Sequence, residues 1–273
     1  MRHPTAVNEL TLVKLGGSLI TDKTRSLTPR TETLARLAEE IAGAGSEPPL
    51  VVGHGSGSFG HVTAAKYGVH RGVDSPEAVD GVAATQVHAH RLHRLVVEAL
   101  WKAGCRPFSL APSAAMMAAA GRPGSWDAAP LRAALRLGLL PVTFGDVVMD
   151  TEWGASICST EEVFEALIAA LAGSGQRVAR VLWMGATAGI LDGDGSTIPA
   201  IDGDNVAEVA KHLGETVGAD VTGGMRLRLE TAWRLAERGI ESWILNGLEP
   251  GVLRAALDGE PAGGTRVAPS GGA

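Results

Sequence analysis

The chain has 273 residues, of which 45% are hydrophobic and 20% charged, and its formal net charge is −6. This length and composition predict a globular protein with room for one large α/β domain or two closely joined lobes. A negative net charge without any basic run argues against a nucleic-acid partner. No apolar run approaches bilayer length and the N-terminus lacks a signal-peptide pattern, so no membrane association is expected. Cys105 and Cys158 have no metal-type spacing, which predicts reduced thiols in a cytoplasmic protein.

Strands and helices alternate along the chain. The first half contains, in order, a predicted strand at 10–15, a helix opened by Thr28-Pro29, a strand at 50–52, a long helix opened by Ser75-Pro76, a strand at 107–110, helices around 113–120 and 128–137, and a strand at 140–143. The second half contains a helix at 159–171 with a Ser159/Glu162 capping box, a strand at 178–184, a helix at 225–238, a strand at 242–245 and a short helix at 250–257.

This alternation is typical of βαβ units, and it predicts a three-layer αβα sandwich around a central, mostly parallel sheet. The segment 189–204, rich in Asp and Gly, is the best seam between an N-terminal lobe at 1–190 and a C-terminal lobe at 191–273. We expect the two lobes to share one continuous sheet.

The first of three glycine-rich turns follows a strand that contains a lysine. Lys14 precedes Gly16, Gly17 and Ser18, and Lys23 comes nine residues after Lys14. Ligands of open parallel sheets gather at the carboxyl ends of strands, where glycines let backbone N–H groups close around phosphate oxygens. A tight turn beside an ordinary surface lysine is the alternative. Because a buried, unpaired charge is costly, Lys14 needs an anionic partner, and phosphate is a natural one. The spacing is not that of a Walker A loop.

The second turn, at 53–61, alternates small residues and ends at a histidine. Gly55, Ser56 and Gly57 offer a run of exposed amides, and His61 is predicted to enter the first turn of a helix. An oxyanion there would meet backbone donors, the helix dipole and an imidazole together. A surface or core histidine is the alternative for His61. The histidines of the long helix, at 88, 90 and 93, are interpreted as having no site role, because their spacing gives no metal site.

The third turn contains Thr222, Gly223, Gly224 and Met225 and leads into a helix that carries Arg228. A helix N-cap without any ligand remains an equal alternative for this turn.

Taken together, these segments resemble the amino-acid-kinase family. The resemblance rests on the segments 14–23, 55–61, 145–150 and 220–225, with further support from Asn246-Gly247 and from 264–267. It covers about residues 10 to 268, and several motifs in the right order are specific where each alone is weak. It implies a kinase that uses ATP with Mg²⁺, a small-molecule phosphate as acceptor, and a homodimer.

The resemblance also assigns roles to residues. Lys14 and Lys23 would hold the transferring phosphoryl group, together with Glu161 and Arg228 as further catalytic residues. His61 would bind the acceptor phosphate. The rest of the acceptor cradle would be Gly55, Ser56, Gly57, Gly145 and Asp146. The nucleotide would be bound by Lys14, Gly16, Gly17, Ser18, Gly185, Thr187, Gly189, Thr222, Gly223, Gly224 and Met225. No side chains are expected to form a metal site of their own. Candidates for contact with an apolar acceptor tail are Val82, Val87, Met116 and Met117.

Two positions depart from the family's pattern. Glu161 stands where an aspartate is usual, and Arg228 where a lysine is usual; Arg228 keeps the charge but is larger and planar. Glu161 could also be an acid favoured only by the helix dipole. The expected acceptor is isopentenyl phosphate. The alternatives are another small phosphate or a phosphonate such as fosfomycin, and a nucleotide-binding protein that has lost catalysis.

Overall fold

The computed structural model describes residues 9–45, 48–69, 72–215, 221–261 and 263–269, and within them it leaves out the side chains of 61, 62, 65, 214, 215 and 221–223. The described strands are β1 Glu9–Leu15, β2 Leu50–His54, β3 Pro107–Ser109, β4 Ala118–Ala119, β5 Arg122–Pro123, β6 Leu140–Phe144, β7 Asp146–Asp150, β8 Gly154–Cys158, β9 Arg177–Gly185, β10 Ala200–Ile201, β11 Glu241–Asn246 and β12 Thr265–Val267. The described helices are α1 Gly17–Ile20, α2 Thr31–Gly43, α3 Gly57–Tyr67, α4 Pro76–Lys102, α5 Pro112–Ala115, α6 Ala129–Arg136, α7 Thr160–Leu171, α8 Val206–Glu215, α9 Val221–Ala236 and α10 Val252–Leu257.

Eight strands form the central sheet, in the order β10-β12-β11-β9-β1-β2-β6-β3. Every neighbouring pair is parallel except β11 with β12. Strands from both sides of the predicted seam therefore belong to one sheet. The predicted fold class, a mostly parallel αβα sandwich, is confirmed.

The alternation of side chains along β1 decides where its lysine points. Leu10 and Leu12 belong to the hydrophobic core on one face of the sheet, which is shared with α7 and α9. Val13 and Leu15 belong to the core on the opposite face, shared with α2 and α4. Because side chains on one face of a strand recur every two residues, Lys14 lies on the face of Leu10 and Leu12 and points towards α7 and α9.

A second, smaller sheet of order β5-β4-β7-β8 lies beside the long helix α4. Its β7–β8 hairpin is not among the elements predicted from the sequence. The Asp150 carboxylate organises the turn, since it accepts hydrogen bonds from the N–H groups of Glu152 and Trp153 and from those of Ala120 and Gly121 on the neighbouring segment. This hairpin follows Gly145 directly, and the Gly145 N–H donates to the His54 carbonyl at the end of β2.

Several predicted boundaries are wrong. Helix α2 begins at Thr31 and not at Thr28-Pro29, because Pro29 instead pairs with Thr21 in an isolated β-bridge. The helix expected around 113–120 is only one turn, α5, and β4 follows it. Helix α8 was not predicted at all. The second and third glycine-rich turns are mostly regular structure: β2 continues to His54, α3 begins at Gly57 and α9 already begins at Val221. His61 therefore lies in the second turn of α3, not in its first.

Candidate active site

Lys14 is the buried centre of a cluster of charges. Its side chain is paired with the Glu161 carboxylate, which α7 supplies from 147 residues further along the chain. Arg228 of α9 lies on the other side of that carboxylate, with its Nε 4.0 Å from Glu161 Oε1. All three residues are at most 9% exposed. The charged cluster of Lys14, Glu161 and Arg228 thus contains two cations and one carboxylate.

The electrostatics of the charged cluster favour a further anion. Burial lowers the pKa of Lys14, and the nearby Arg228 and Lys23 lower it further, while Glu161 opposes them. Burial acts to raise the pKa of Glu161, but the attraction of Lys14 and Arg228 outweighs it and the net shift is downwards. Lys23 lies exposed in the turn after α1, close enough for its charge to act on Lys14. One carboxylate does not neutralise two buried cations, and a bound phosphate would supply the further negative charge.

The glycines at the ends of β1 and β9 make room for the Arg228 guanidinium. A Cβ on Gly185 would lie 3.0 Å from Arg228 Nη1, and one on Gly16 would lie 3.8 Å from Nη2 and 2.8 Å from the Met184 carbonyl oxygen. Among the described residues, the buried Arg228 Nε has no hydrogen-bond partner. The guanidinium is therefore directed at the carboxyl ends of these two strands, where ligands of parallel sheets bind.

The first and second glycine-rich turns touch each other. A Cβ on Gly17 would lie 2.4 Å from Gly57 N, and one on Gly55 would lie 2.9 Å from Gly17 N. Gly57 has a positive φ of 49°, and a Cβ there would lie 2.1 Å from Thr21 Oγ1. Side chains are thus excluded on both sides of this contact, so the backbone that follows Lys14 and the backbone that follows β2 form one continuous surface. Ser18 lies half-buried in α1 at its edge.

A small cavity of about 20 Å³, room for about one water molecule, adjoins the second turn. It is lined by Ser56, Gly60, Ala64, Thr85, Ala89, Gly145, Asp146, Val147 and Ile157. The buried Asp146 carboxylate accepts hydrogen bonds from the N–H groups of Ser113 and Val147, and it lies 3.4 Å from His90 Nε2. The cavity thus brings three predicted acceptor residues, Ser56, Gly145 and Asp146, to one place.

The face of α4 that lines this cavity differs from the predicted one. Thr85 and Ala89 point into it, whereas Val87 is 63% exposed. Met116 is buried in the core and Met117 is 53% exposed, and both line a separate open groove. None of the expected tail contacts, Val82, Val87, Met116 and Met117, lines this cavity, and their role stays a prediction. Sequence reasoning missed Thr85 because helical spacing alone does not say which face meets the hairpin.

A larger pocket of about 330 Å³ lies on the other side of the charged cluster, near the end of β11. It is lined by Ala188, Thr197, Pro199, Asn246, Glu249, Val252, Gly263 and Gly264. Ala188 lies between two predicted nucleotide residues, and the Thr187 hydroxyl donates to the Gly189 carbonyl, 3.1 Å away. Thr197 and Glu249 gave no signal in the sequence. Asn246, which already supports the family resemblance, is the polar residue that ends a buried strand.

The remaining predicted site residues differ in whether they are exposed or buried. Gly224 is exposed in the first turn of α9, whereas the Met225 side chain is packed into the hydrophobic core and does not face the pocket. The side chains of His61, Thr222 and Gly223 lie outside the described part of the structure. The roles of these residues stay predictions.

Comparisons with known proteins agree with this geometry. The sequence profile of the amino acid kinase family matches residues 9–246, and the chain belongs to this family. An isopentenyl phosphate kinase of Methanothermobacter thermautotrophicus is 33% identical over 94% of this chain and 98% of its own length. One from Haloferax volcanii is 34% identical over 93% of this chain and 97% of its own length.

Solved structures give the same picture. A crystal structure of isopentenyl phosphate kinase superposes with a TM-score of 0.78 at 31% identity and covers 94% of this chain and 99% of that one. N-acetylglutamate synthase from Neisseria gonorrhoeae superposes with a TM-score of 0.67 at 18% identity over 96% of this chain and 59% of that one, which shows the fold alone.

Two kinds of feature are absent from the described residues. None of their helices combines the length and the apolar character that crossing a bilayer requires. Nor do they contain a group of three or more His, Cys, Asp or Glu residues that could hold a metal ion.

Proposed function

We propose that this protein transfers the γ-phosphate of ATP to isopentenyl phosphate, giving isopentenyl diphosphate and ADP. One observation carries the proposal: the charged cluster has an excess of buried positive charge and lies where two glycine-rich backbones meet. The relatives named isopentenyl phosphate kinase, aligned over nearly the whole chain, support the choice of acceptor. ATP as phosphate donor follows from membership of a kinase family.

The chemistry we propose needs no general base. An oxygen of the acceptor phosphate is already a nucleophile at neutral pH, so in-line positioning and neutralisation of charge are sufficient. Lys14, Lys23 and Arg228 neutralise the moving phosphoryl group, and Glu161 keeps the two buried cations apart and aligned. The amides of Ser56 and Gly57, with His61, hold the acceptor phosphate. We assign the nucleotide to the larger pocket of about 330 Å³. The C-terminal lobe, residues 191–273, supplies most of the residues that line it.

We propose that Mg²⁺ enters with the nucleotide. The one carboxylate of the charged cluster, Glu161, is already engaged by Lys14 and Arg228, so the phosphate oxygens of ATP are the better ligands for this hard cation. When bound there, Mg²⁺ would neutralise part of the phosphate charge.

We further propose a homodimer in the cytoplasm that pairs at the β3 end of the central sheet. Strand β3 is the last in the sheet order and carries Phe108, which is 40% exposed. Trp101 of α4, the helix that packs on β3, is 68% exposed. Exposed apolar side chains beside an edge strand are typical of an interface. A sedimentation measurement that finds a monomer, or a dimer unaffected by Trp101→Glu, contradicts this site.

The proposed reaction is tested by measuring ADP release with isopentenyl phosphate, dimethylallyl phosphate or fosfomycin as acceptor. We expect isopentenyl phosphate to give the highest kcat/KM. Much faster turnover of fosfomycin would favour the phosphonate alternative. ATP binding without turnover of any acceptor would favour the non-catalytic alternative.

His61 has its own test, because its role comes from the sequence alone. We expect His61→Ala to reduce phosphoryl transfer severely and to leave ATP binding intact. Unchanged turnover would remove His61 from the mechanism.

A further inference from the structure

Two buried histidines and a serine form a chain of hydrogen bonds behind the second glycine-rich turn. His54 Nδ1 lies 3.2 Å from the carbonyl oxygen of Gly55, and His54 Nε2 lies 3.0 Å from His93 Nδ1. His93 Nε2 lies 2.6 Å from the hydroxyl of Ser109, an exposed residue at the end of β3. We call Ser109, His93 and His54 the histidine chain. It connects the surface to the backbone that carries the predicted acceptor amides.

The surroundings keep both imidazoles neutral. His54 is fully buried and His93 is 6% exposed, and both rings stack against Phe144, at centroid distances of 5.5 and 4.1 Å. Burial lowers the pKa of His54 to about 4, and burial with the neighbouring His54 and His90 lowers that of His93 to about 2. Each ring therefore has one N–H donor and one lone pair.

The hydrogen-bond partners then fix where each proton lies. A carbonyl oxygen can only accept, so His54 must carry its proton on Nδ1 and leave Nε2 as an acceptor. His93 must in turn donate from Nδ1 to His54, and its own Nε2 must accept from the Ser109 hydroxyl. The histidine chain is thus directed, with every donor pointing towards Gly55.

The end of this chain acts on the neighbouring peptide group. Gly55 C=O and Ser56 N–H belong to one planar trans peptide, in which the two bonds point in opposite directions. Among the described residues, the Ser56 N–H donates to no protein acceptor, and Ser56 lines the small cavity beside Gly145. A carbonyl held back by His54 therefore directs this N–H away from the protein interior.

We propose that His54 and His93 are positioning residues of the acceptor site, which through the Gly55 carbonyl aim the Ser56 N–H at the acceptor phosphate. The inference rests on the proposed function for the identity of the acceptor. It does not depend on that function for the direction of the histidine chain.

The direction of the chain is tested by long-range ¹H–¹⁵N spectra of the full-length protein without ligand. We expect His54 and His93 both to be neutral with the proton on Nδ1 at pH 7, although free imidazoles generally favour Nε2. The variant Ser109→Ala, which removes only an exposed hydroxyl, should leave both protons on Nδ1, because the Gly55 carbonyl and His54 Nε2 still fix them. A proton on Nε2 of either ring in the wild type, or a charged ring at pH 7, overturns the proposal.

The effect on the acceptor is tested by comparing His93→Leu with His93→Gln. The Leu side chain breaks the chain, whereas a Gln amide can donate to His54 and accept from Ser109. We expect His93→Leu to raise the KM for the acceptor at least about tenfold, as for the loss of one hydrogen bond to a charged group, with the KM for ATP almost unchanged. His93→Gln should restore most of the loss. Arg94→Ala, on an exposed part of the same helix, is the control and should change neither KM.

If His93 had a purely structural role, the two His93 variants would give kinetic results different from these. Such a role would lower stability and kcat in both His93 variants and would not separate the two KM values, and that result overturns the proposal. If the wild type does not phosphorylate isopentenyl phosphate, the proposed function fails while the spectra still decide the direction of the chain. The two failures are therefore distinguishable.

Discussion

The two halves of the candidate site would handle anions by different physical means. The phosphoryl half is the charged cluster, in which Lys14, Glu161 and Arg228 come from three distant segments and are buried together. The acceptor half contains backbone amides, a small cavity and the neutral pair His54 and His93. We propose that the first attracts phosphate by net charge, whereas the second orients it by aligned donors. We infer that the charged cluster determines rate and that the acceptor half determines which molecule is accepted.

The largest expected effect comes from the cation at the centre of the charged cluster. Lys14→Met keeps much of the side-chain volume and removes the charge, and it leaves Glu161 opposed by Arg228 alone. We expect kcat to fall by about 10²–10³-fold, the usual cost of one electrostatic contact to a transition state. Steady-state ADP release measures it, with the exposed Lys102→Met as control. A kcat within a few-fold of the wild type would remove Lys14 from the reaction.

The carboxylate of the same cluster should matter more for stability. Glu161→Gln leaves two buried cations without compensation, which typically costs about 3–5 kcal/mol in free energy of unfolding. ATP would supply the missing negative charge, so its addition should raise the Tm of this variant more than that of the wild type. The control Glu161→Asp keeps the charge and should lose less. Equal Tm shifts in all three proteins would show that phosphate does not bind at this cluster.

The sequence predicts the charged cluster better than it predicts the acceptor half. The apolar run around Lys14 indicates a buried lysine, but nothing local identifies Glu161 as its partner, because 147 residues separate them. The sequence predicts turns at the second and third glycine-rich segments, although helices α3 and α9 begin there. A glycine-rich helix start has no apolar periodicity that would indicate a helix. His93 is missed for a physical reason: its partners His54 and Ser109 lie on β2 and β3, whereas spacing compares residues only within one helix.

The neutral histidines make stability depend on pH. The folded-state pKa values of His54 and His93, about 4 and about 2, lie below the ordinary value of about 6.5, so below that pH the unfolded chain binds more protons. Stability is complete above about pH 6.5 and is lost as pH falls towards 4, by about 1.4 kcal/mol per pH unit for each histidine.

Denaturant unfolding at pH 7, 6 and 5 measures this loss. The other charged groups near the two rings are unchanged in His93→Gln. They are Lys14, whose charge acts on His54 from the other face of the sheet, and His90, which lies 3.4 Å from Asp146. The slope of that variant should therefore be about half that of the wild type, because one of two protons is removed. An identical slope would mean that His93 is already charged in the folded protein.

The smallest expected effect is that of Thr85→Val, which should change the KM for isopentenyl phosphate and for fosfomycin in opposite directions. The Thr85 hydroxyl is buried at the small cavity and, among the described residues, has no hydrogen-bond partner. Thr85→Val replaces it with a methyl group of similar shape, so we expect about 1 kcal/mol greater stability, since an unsatisfied hydroxyl is removed. The same change should lower the KM for isopentenyl phosphate, whose tail is apolar, and raise it for fosfomycin. The control Thr24→Val alters a hydroxyl in the exposed turn after α1 and should change neither. If Thr85→Val instead weakens isopentenyl phosphate binding, the hydroxyl faces a polar group of the true acceptor, and the acceptor half is built for a more polar molecule than the one proposed.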